Sequence, residues 1–185
     1  MRVISGYLKG RKLEGYMVET TRPTMDRVKE SMFASIQNDI NNSVVLDLFC
    51  GTGSLGIEAI SMGANKCYFV DNNKNIIYYL NKNISNLNIN DKCVVLGKDY
   101  RQALLYLKNN NIKFNIIIVD APYKMEVMKE IICFVNDYEI LLDNGLLVLE
   151  YSFDVLDESY DNLKLIKSKK YNDKFVSIYR KVIDK

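Results

Sequence analysis

The central part of the chain alternates between short apolar runs and segments whose apolar residues recur with helical spacing. The runs are nearly continuous, which is typical of parallel strands that helices cover on both faces. Such an alternation predicts a doubly wound parallel sheet with right-handed connections. The predicted strands are residues 44–49, 67–71, 94–96, 114–120 and 146–150, and the predicted helices are residues 54–62, 76–87, 103–107 and 125–135.

Both ends of the chain break this alternation. Residues 1–20 predict a small β-hairpin with glycines at its turns, and residues 24–38 predict an amphipathic helix. Residues 163–170 and 175–180 predict two antiparallel strands. The expected fold is therefore α/β, with a mostly parallel seven-stranded sheet, an antiparallel C-terminal edge, and an N-terminal β-hairpin plus helix.

Length and composition narrow the class of protein. A chain of 185 residues fits one domain, which we expect to span 1–185, with an extension over 1–40 and a core over 41–185. Hydrophobic residues make up 48% and charged residues 26%, as in ordinary soluble proteins. No apolar run approaches the ~20 residues that span a bilayer, and the N-terminus lacks a secretory signal pattern. We therefore expect a cytoplasmic protein.

The inventory of reactive side chains excludes several chemistries. The chain has no histidine, so no imidazole base is available, and its four cysteines lack the spacing of metal ligands. We therefore expect no metal, and reduced, mostly buried thiols. The net charge is only +2, although basic residues cluster near both ends. Taken alone, each basic cluster is typical of a solvated face.

A glycine-rich loop follows the first predicted strand. Gly51, Gly53 and Gly56 fit the GxGxxG pattern, and Asp71 ends the next strand about 20 residues later. This spacing is also the fingerprint of dinucleotide-binding proteins, so a nicotinamide cofactor is one alternative. Asp47 favours S-adenosylmethionine instead, because a carboxylate is poorly placed beside a pyrophosphate but accepts hydrogen bonds from an ammonium group. The predicted elements also leave no room for a second, substrate-binding domain.

Two acidic residues after later strands extend this candidate cofactor site. Asp71 can accept both hydroxyl hydrogens of a ribose diol under either cofactor. Asp99 can accept from an adenine amine, although a solvated loop acid is an equal alternative there. S-adenosylmethionine has no phosphate, so the glycines would allow close backbone approach and would not bind an anion.

A second motif, Asp120-Ala121-Pro122-Tyr123, follows the fourth strand at the edge where open α/β sheets bind ligands. It resembles the (Asp/Asn)-Pro-Pro-(Tyr/Phe) motif of methyltransferases that act on exocyclic amines of nucleobases. Such an amine is a poor nucleophile, and Asp120 with a backbone carbonyl can accept its two N–H hydrogens and favour attack. Tyr123 offers a flat face for the base. Ala121 stands where proline is usual; it keeps the carbonyl but loses the locked backbone, so we expect retained activity.

The whole chain resembles the bacterial 16S ribosomal RNA guanine-N2 methyltransferase family that modifies guanine 966. The resemblance runs from end to end, and its most specific part lies outside the cofactor loop. It implies a Rossmann-like class I methyltransferase fold and S-adenosylmethionine as the cofactor. The matching stretches are residues 2–6 (RVISG), 9–11 (KGR), 22–33 (RPTMDRVKESMF) and 46–56 (LDLFCGTGSLG).

The resemblance also implies a substrate and a set of site residues. The substrate would be the N2 amine of a guanine in 16S ribosomal RNA or the assembling small subunit, and we expect a monomer that binds no membrane. An adenine-N6 or other nucleobase-amine target stays open, as does a catalytically silent RNA-binding assembly factor. The implied catalytic residues are Asp120, Ala121, Pro122 and Tyr123; the implied cofactor-binding residues are Asp47, Phe49, Gly51, Gly53, Asp71, Asn72, Asp99 and Tyr100; and the implied RNA-binding residues are Lys9, Arg11 and Arg22.

Overall fold

The computed structural model describes residues 1–15, 23–120, 125–152 and 156–183, and gives the backbone alone at 23–25 and 125. The helices are α1 (Pro23–Ile40), α2 (Ser54–Ser61), α3 (Lys74–Leu87), α4 (Tyr100–Asn109) and α5 (Met125–Asp137), with a 3-10 turn at Asn90–Lys92. The strands are β1 (Val44–Leu48), β2 (Lys66–Asp71), β3 (Cys93–Gly97), β4 (Phe114–Asp120), β5 (Leu141–Tyr151), β6 (Ser159–Tyr160), β7 (Leu163–Tyr171) and β8 (Lys174–Lys181).

The strands form one sheet in the order β3-β2-β1-β4-β5-β8-β7-β6. The first five of these strands run parallel, while β8 pairs antiparallel with both β5 and β7. The predicted α/β sheet with an antiparallel C-terminal edge is therefore confirmed. The described part of the sheet has eight strands where seven were predicted, because Ser159–Tyr160 adds a two-residue strand that is too short to show a hydrophobic pattern.

Helices cover both faces of the sheet, as expected for a doubly wound fold. On one face α1, α2 and α3 pack through residues such as Phe33, Ile57 and Leu80. On the other face α4 and α5 pack through residues such as Leu104 and Ile131. The parallel strands are thus buried on both sides, which explains their continuous apolar runs. Within the described ranges, no helix is both long and apolar enough to cross a membrane.

Strand β5 begins earlier than its sequence predicts. The predicted strand begins at residue 146, but the strand already starts at Leu141. Phe114 pairs with Leu141 and Ile116 with Leu146, so β5 bulges away from β4 between these two pairs. The local Asp-Asn-Gly sequence therefore marks a bulge inside the strand, and Asn144 has a φ of 61° there.

The N-terminal segment forms a short hairpin that also packs against α2. In the predicted hairpin over 1–20, residues 1–3 pair with residues 10–13 through an antiparallel bridge between Arg2 and Lys12 and backbone hydrogen bonds on either side of it, and residues 16–20 lie outside the described chain. The amides of Ile4 and Ser5 donate to the carboxylate of Glu58, which also pairs with Lys29 at 2.9 Å. Because Glu58 and Lys29 are both buried, this network ties the segment and α1 to α2.

Candidate cofactor and substrate site

Four carboxylates lie on one face of the sheet near the carboxyl ends of its parallel strands. Asp71, Asp47, Asp120 and Glu150 belong to β2, β1, β4 and β5, in the order of those strands across the sheet. Their neighbours two positions earlier in each strand pack in the core beneath α1, α2 and α3, so the four acids share that face. An edge so rich in carboxylates suits a cationic or hydrogen-donating ligand better than a pyrophosphate.

The loop between β1 and α2 takes a left-handed backbone at Phe49 (φ 68°), Gly51 (φ 55°) and Gly53 (φ 91°). Phe49 is strained in this conformation, because a Cβ crowds the following carbonyl. A Cβ at Gly51 would meet nothing within 4 Å, whereas one at Gly56 would lie 2.3 Å from Cε1 of Phe69. Gly51 therefore borders open space where a ligand can approach the backbone, and Gly56 lets α2 pack closely on β2.

Asp47 is a buried acid whose bonding is incomplete. Its side chain is 1% exposed, and Oδ2 accepts a hydrogen bond from the Gly56 amide at 2.8 Å. Its Oδ1 is buried without a hydrogen-bond partner among the described residues. Burial, reinforced by the charges of Asp120 and Asp71, raises the pKa of Asp47 to about 7. A buried carboxylate oxygen without a donor is a site that a ligand ammonium group can satisfy.

Asp71 closes the glycine loop at the end of β2. Its Oδ2 accepts from the Gly51 amide at 3.1 Å, and its Oδ1 accepts from the Asn73 amide at 2.9 Å. Asn72 is exposed in the turn that follows, and Asn73 caps α3 through its side chain. Each carboxylate oxygen still has a free lone-pair direction, so Asp71 can accept further hydrogen bonds from a ribose diol.

Asp99 and Tyr100 lie where β3 passes into α4. Asp99 caps α4 by accepting from the Arg101 amide at 3.0 Å, a role that the sequence analysis did not foresee. The ring of Tyr100 packs on that of Phe49 with centroids 5.3 Å apart. Burial and a hydrogen bond to Glu130 raise the pKa of Tyr100 to about 12, so its hydroxyl stays a donor. These two aromatic rings and the cap form one wall beside the glycine loop.

Asp120 ends β4 beside an ion pair between a buried carboxylate and a partly exposed lysine, which was not predicted from the sequence. Its strand partner in register is Glu150, and the Glu150 carboxylate forms an ion pair with Lys174 of β8. Burial and then the charge of Glu150 raise the pKa of Asp120 to about 6, while Lys174 lowers it. Burial alone would lower the pKa of Lys174, but its hydrogen bond to Glu150 and the charges of Glu150 and Asp120 raise it.

A signal for Glu150 was present in the sequence. Like Asp71 and Asp120, Glu150 is an acid at the end of a buried apolar run, and this repeated pattern could have found it. Lys174 carries no comparable local signal, because it reaches the site only through the antiparallel return of β8 along β5.

The remaining predicted site residues divide into two groups. Ala121, Pro122, Tyr123 and Arg22 lie outside the described residues. Lys9 and Arg11 are exposed and lie near the C-terminal ends of α2 and α3. Two hydrogen bonds place them there: the amide of nearby Tyr7 donates to the Ser61 carbonyl of α2, and the Arg11 side chain donates to the Asn86 carbonyl of α3. Those helix ends adjoin the edge where the strands begin, so Lys9 and Arg11 are not brought together with Asp120.

These features fit S-adenosylmethionine and define the class of protein. The unsatisfied Oδ1 of Asp47 suits the ammonium group of a methionine moiety, and the open space at Gly51 admits close approach to the backbone. Asp71, at the end of β2, accepts a hydrogen bond from the Gly51 amide and so lies against the same loop. With the doubly wound sheet and its antiparallel edge, the molecule is a class I methyltransferase, a class that takes its methyl group from S-adenosylmethionine.

Comparison with known proteins narrows this class to one family. The model of the family "Conserved hypothetical protein 95" matches residues 1–180. A Bacillus subtilis (strain 168) protein, provisionally named rRNA methyltransferase YlbH, is 36% identical over 98% of this chain and 99% of its own length. Ribosomal RNA small subunit methyltransferase D of Haemophilus influenzae is 31% identical over 91% of this chain and 88% of its own.

A solved structure agrees with both relatives. The Escherichia coli protein provisionally named methyltransferase yhhF superposes with a TM-score of 0.88 at 28% identity, covering 100% of this chain and 99% of that one. The chain therefore belongs to the conserved hypothetical protein 95 family, the family of the bacterial small-subunit ribosomal RNA methyltransferase D proteins. The resemblance seen in the sequence is confirmed at this level.

Proposed function

We propose that this protein methylates the exocyclic N2 amine of a guanine in small-subunit ribosomal RNA, with guanine 966 as the target that the family resemblance implies. The observation that carries the proposal is the position of Asp120. It ends β4 next to the strand that bears Asp47 and the glycine loop, on the same face of the sheet. An amine held by Asp120 would therefore lie beside the proposed cofactor site.

Asp120 would act by holding the amine in the orientation for attack. No described residue donates a hydrogen bond to its carboxylate, so the carboxylate is free to accept an N–H of the base. The backbone carbonyl of Ala121 would accept the other N–H, and Tyr123 would stack on the base. When bound, S-adenosylmethionine supplies an activated methyl group, so the task left to these residues is largely positioning.

Asp47, Gly51, Gly53 and Asp71 would hold the cofactor, with Phe49, Asn72, Asp99 and Tyr100 around its nucleoside end. Asp47 would receive the ammonium group through its unsatisfied oxygen. Asp71 would accept from the ribose hydroxyls while keeping the Gly51 amide in place. We propose that the whole chain, 1–185, acts as one such domain and as a monomer, since the RNA must reach this edge of the sheet.

The first test is methyl transfer from labelled S-adenosylmethionine to under-modified small ribosomal subunits, followed by nucleoside analysis. N2-methylguanosine is the expected product, and N6-methyladenosine would shift the target to adenine. Such a substrate implies a cytoplasmic location. In the same assay, a KM that rises steeply with salt supports contacts between RNA phosphates and basic residues, for which we propose Lys9, Arg11 and Arg22, since neutralised phosphates release counterions. A flat response argues against those contacts.

Replacing Asp120 tests its role directly. We expect Asp120→Ala to lower turnover by about 100-fold or more, because one preorganised acceptor at a reacting group is worth about that much. Cofactor affinity should change by only a few-fold. Asp120→Asn is the matched control: it keeps an acceptor oxygen, so it should lose less activity than the alanine variant. Unchanged turnover in Asp120→Ala would remove this residue from the mechanism.

Ala121 favours a second candidate, an RNA-binding assembly factor that has lost catalysis. Proline is usual at this position, and alanine leaves the backbone less restricted. Restoring proline with Ala121→Pro decides between the two functions. Methyl transfer by the variant and none by the parent would favour the assembly factor, and equal transfer by both would reject it.

A further inference from the structure

The proposed cofactor site lies at the carboxyl edge of β1, β2 and β3, which we call the cofactor half. Beyond it, three polar side chains form a row along the same edge of the sheet. The strands follow one another as β1, β4, β5 and β8, and Asp120, Glu150 and Lys174 stand at the same edge of the last three. Asp120 and Glu150 are partners in register, and Lys174 lies one position beyond the pair formed by Tyr151 and Phe175. Counted away from the cofactor half, the row reads acceptor, acceptor, donor.

The two carboxylates of this row can accept more hydrogen bonds than the described residues donate to them. One ammonium group, that of Lys174, serves two neighbouring carboxylates, and it forms its ion pair with Glu150. Glu150 is 7% exposed, and Asp120 accepts no hydrogen bond from another described residue. The other charged groups that act on this row are Asp47, beside Asp120, and Asp173, beside Lys174. Glu150 is buried and Asp120 is half-buried, and carboxylates with few donors in such positions favour a ligand that brings N–H groups.

We propose that Glu150 and Lys174 read the Watson–Crick edge of the guanine whose N2 amine Asp120 holds, and thereby select guanine over adenine. The inference rests on the proposed function and adds the means of base selection. Guanine presents an N2 amine donor, an N1–H donor and an O6 acceptor in a row. Asp120 accepts from N2, Glu150 accepts from N1–H, and Lys174 donates to O6.

The order of the strands supports only one orientation of the base. Asp120 is the member of the row next to β1, which carries Asp47 and leads into the glycine loop. The guanine therefore lies with N2 towards the cofactor half and O6 towards β8. Adenine in the same place would set its N1 lone pair against the Glu150 carboxylate, leaving two acceptors facing each other. A site built to hydrogen-bond a group rejects strongly the analogue that lacks it.

The test uses small-subunit ribosomal RNA ligated from two pieces, with guanine or 2-aminopurine at the nucleotide that the wild-type protein methylates. 2-Aminopurine keeps the N2 amine but lacks O6 and has a bare N1. We expect wild-type kcat/KM to favour guanine by on the order of 100-fold or more. Glu150→Gln should narrow this ratio by about tenfold or more, because the glutamine amide can donate to the bare N1.

Lys174→Met provides an independent variant on the rim of the site, where the lysine side chain is 37% exposed. It should lower kcat/KM on guanine and leave 2-aminopurine nearly unchanged, so that the ratio again falls. The matched control is Arg180→Met, which breaks another ion pair of β8, with Asp39 at 3.0 Å, and should leave the ratio unchanged. Binding of the fluorescent 2-aminopurine RNA, followed without turnover, should strengthen in Glu150→Gln.

The outcomes separate this inference from the function on which it rests. A wild-type protein that forms no N2-methylguanosine would refute both. An active wild-type protein whose variants lose activity equally on the two bases, with the preference intact, would overturn the base-reading role alone. Equal losses are what a purely structural ion pair between Glu150 and Lys174 would give.

Discussion

The two halves of the carboxyl edge stabilise their acidic side chains by different means. In the half formed by β1, β2 and β3, backbone amides donate to the carboxylates, as Gly56 does to Asp47 and Gly51 does to Asp71. In the half formed by β4, β5 and β8, no backbone donor reaches Asp120 among the described residues. There the Lys174 ammonium group offsets the negative charges of Glu150 and Asp120. The first half is built by local loops, and the second by pairing between distant strands.

This difference suits each half to the ligand that we propose for it. Amide donors from a rigid loop hold their acceptors in fixed positions, which suits a cofactor that every substrate shares. A lysine on a flexible stem adjusts to a base that must be brought into the site. The comparison also separates two causes of raised pKa. Burial dominates for both Asp47 and Asp120, but the charge of Glu150 is the second cause only for Asp120.

The largest expected effect concerns stability against pH. The folded-state pKa of Asp47 is about 7 and its ordinary value is 3.8, so folding favours the protonated form. Stability from this group is fully present below about pH 4 and is lost as pH rises through about 7. Asp47→Asn should remove this loss, which is on the order of a few kcal/mol across that window. Urea unfolding of the cofactor-free protein from pH 4 to 8 measures it.

Asp120→Asn serves as the comparison for that measurement. The pKa of Asp120 is raised only to about 6, so its contribution should be smaller and should end at lower pH. If wild type and Asp47→Asn show parallel stability curves over this range, Asp47 is not the desolvated acid of the first half. If Asp120→Asn has the larger effect, the ranking of the two halves is reversed.

A smaller effect should follow from a methyl group at Gly51. Gly51→Ala puts a Cβ at a φ of 55° but into open space, so stability should fall by only about 1 kcal/mol. Affinity for S-adenosylmethionine should fall by about tenfold or more, because the Cβ occupies the approach to the backbone. Calorimetric titration and urea unfolding give the two quantities.

Gly10 offers the matched control for this substitution. It has a φ of 85°, and a Cβ there also meets nothing within 4 Å, but Gly10 follows the exposed Lys9 far from the glycine loop. Gly10→Ala should lose similar stability and no cofactor affinity. Equal affinity losses in the two variants would show that strain alone, and not blocked access at Gly51, weakens binding.

The smallest expected effect separates two helix caps within the first half. Asn73 caps α3 and Asp99 caps α4, each by accepting from backbone amides. Replacement by alanine should cost about 1 kcal/mol of stability at either position. Only Asp99→Ala should also weaken cofactor binding, by a few-fold, if Asp99 accepts from the adenine amine. An unchanged affinity would leave Asp99 as a cap alone.

The contrast between the halves explains how much the sequence could predict. The parallel strands and their helices were found because burial on both faces leaves a continuous apolar run, and the glycine loop was found because its geometry depends on adjacent residues. The early start of β5 at Leu141 was missed because a bulge and a turn use the same residues, here Asp143, Asn144 and Gly145. Local chemistry alone does not distinguish them.

Long-range contacts account for the other misses. The packing of the N-terminal hairpin on α2 was not predicted, because the amides of Ile4, Ser5 and Leu8 donate to Glu58 and Ser61 of α2 and no spacing in the sequence indicates these contacts. Lys174 was one member of a basic cluster, and its ion pair with Glu150 depends on the register between β5 and β8. The hydrophobic periodicity of a sequence predicts its strands, but it does not predict how strands distant in the chain pair with one another.

The antiparallel return of β8 also has a consequence for the order in which the molecule matures on the ribosome. β8 is synthesised after every strand of the parallel part, so β1 to β5 and the glycine loop can assemble while β8 is still being made. Until β8 arrives, β5 is an unpaired edge with an apolar run, a surface that favours pairing with other chains. On the proposed role of Lys174, a nascent chain would complete its cofactor site before its base-reading site.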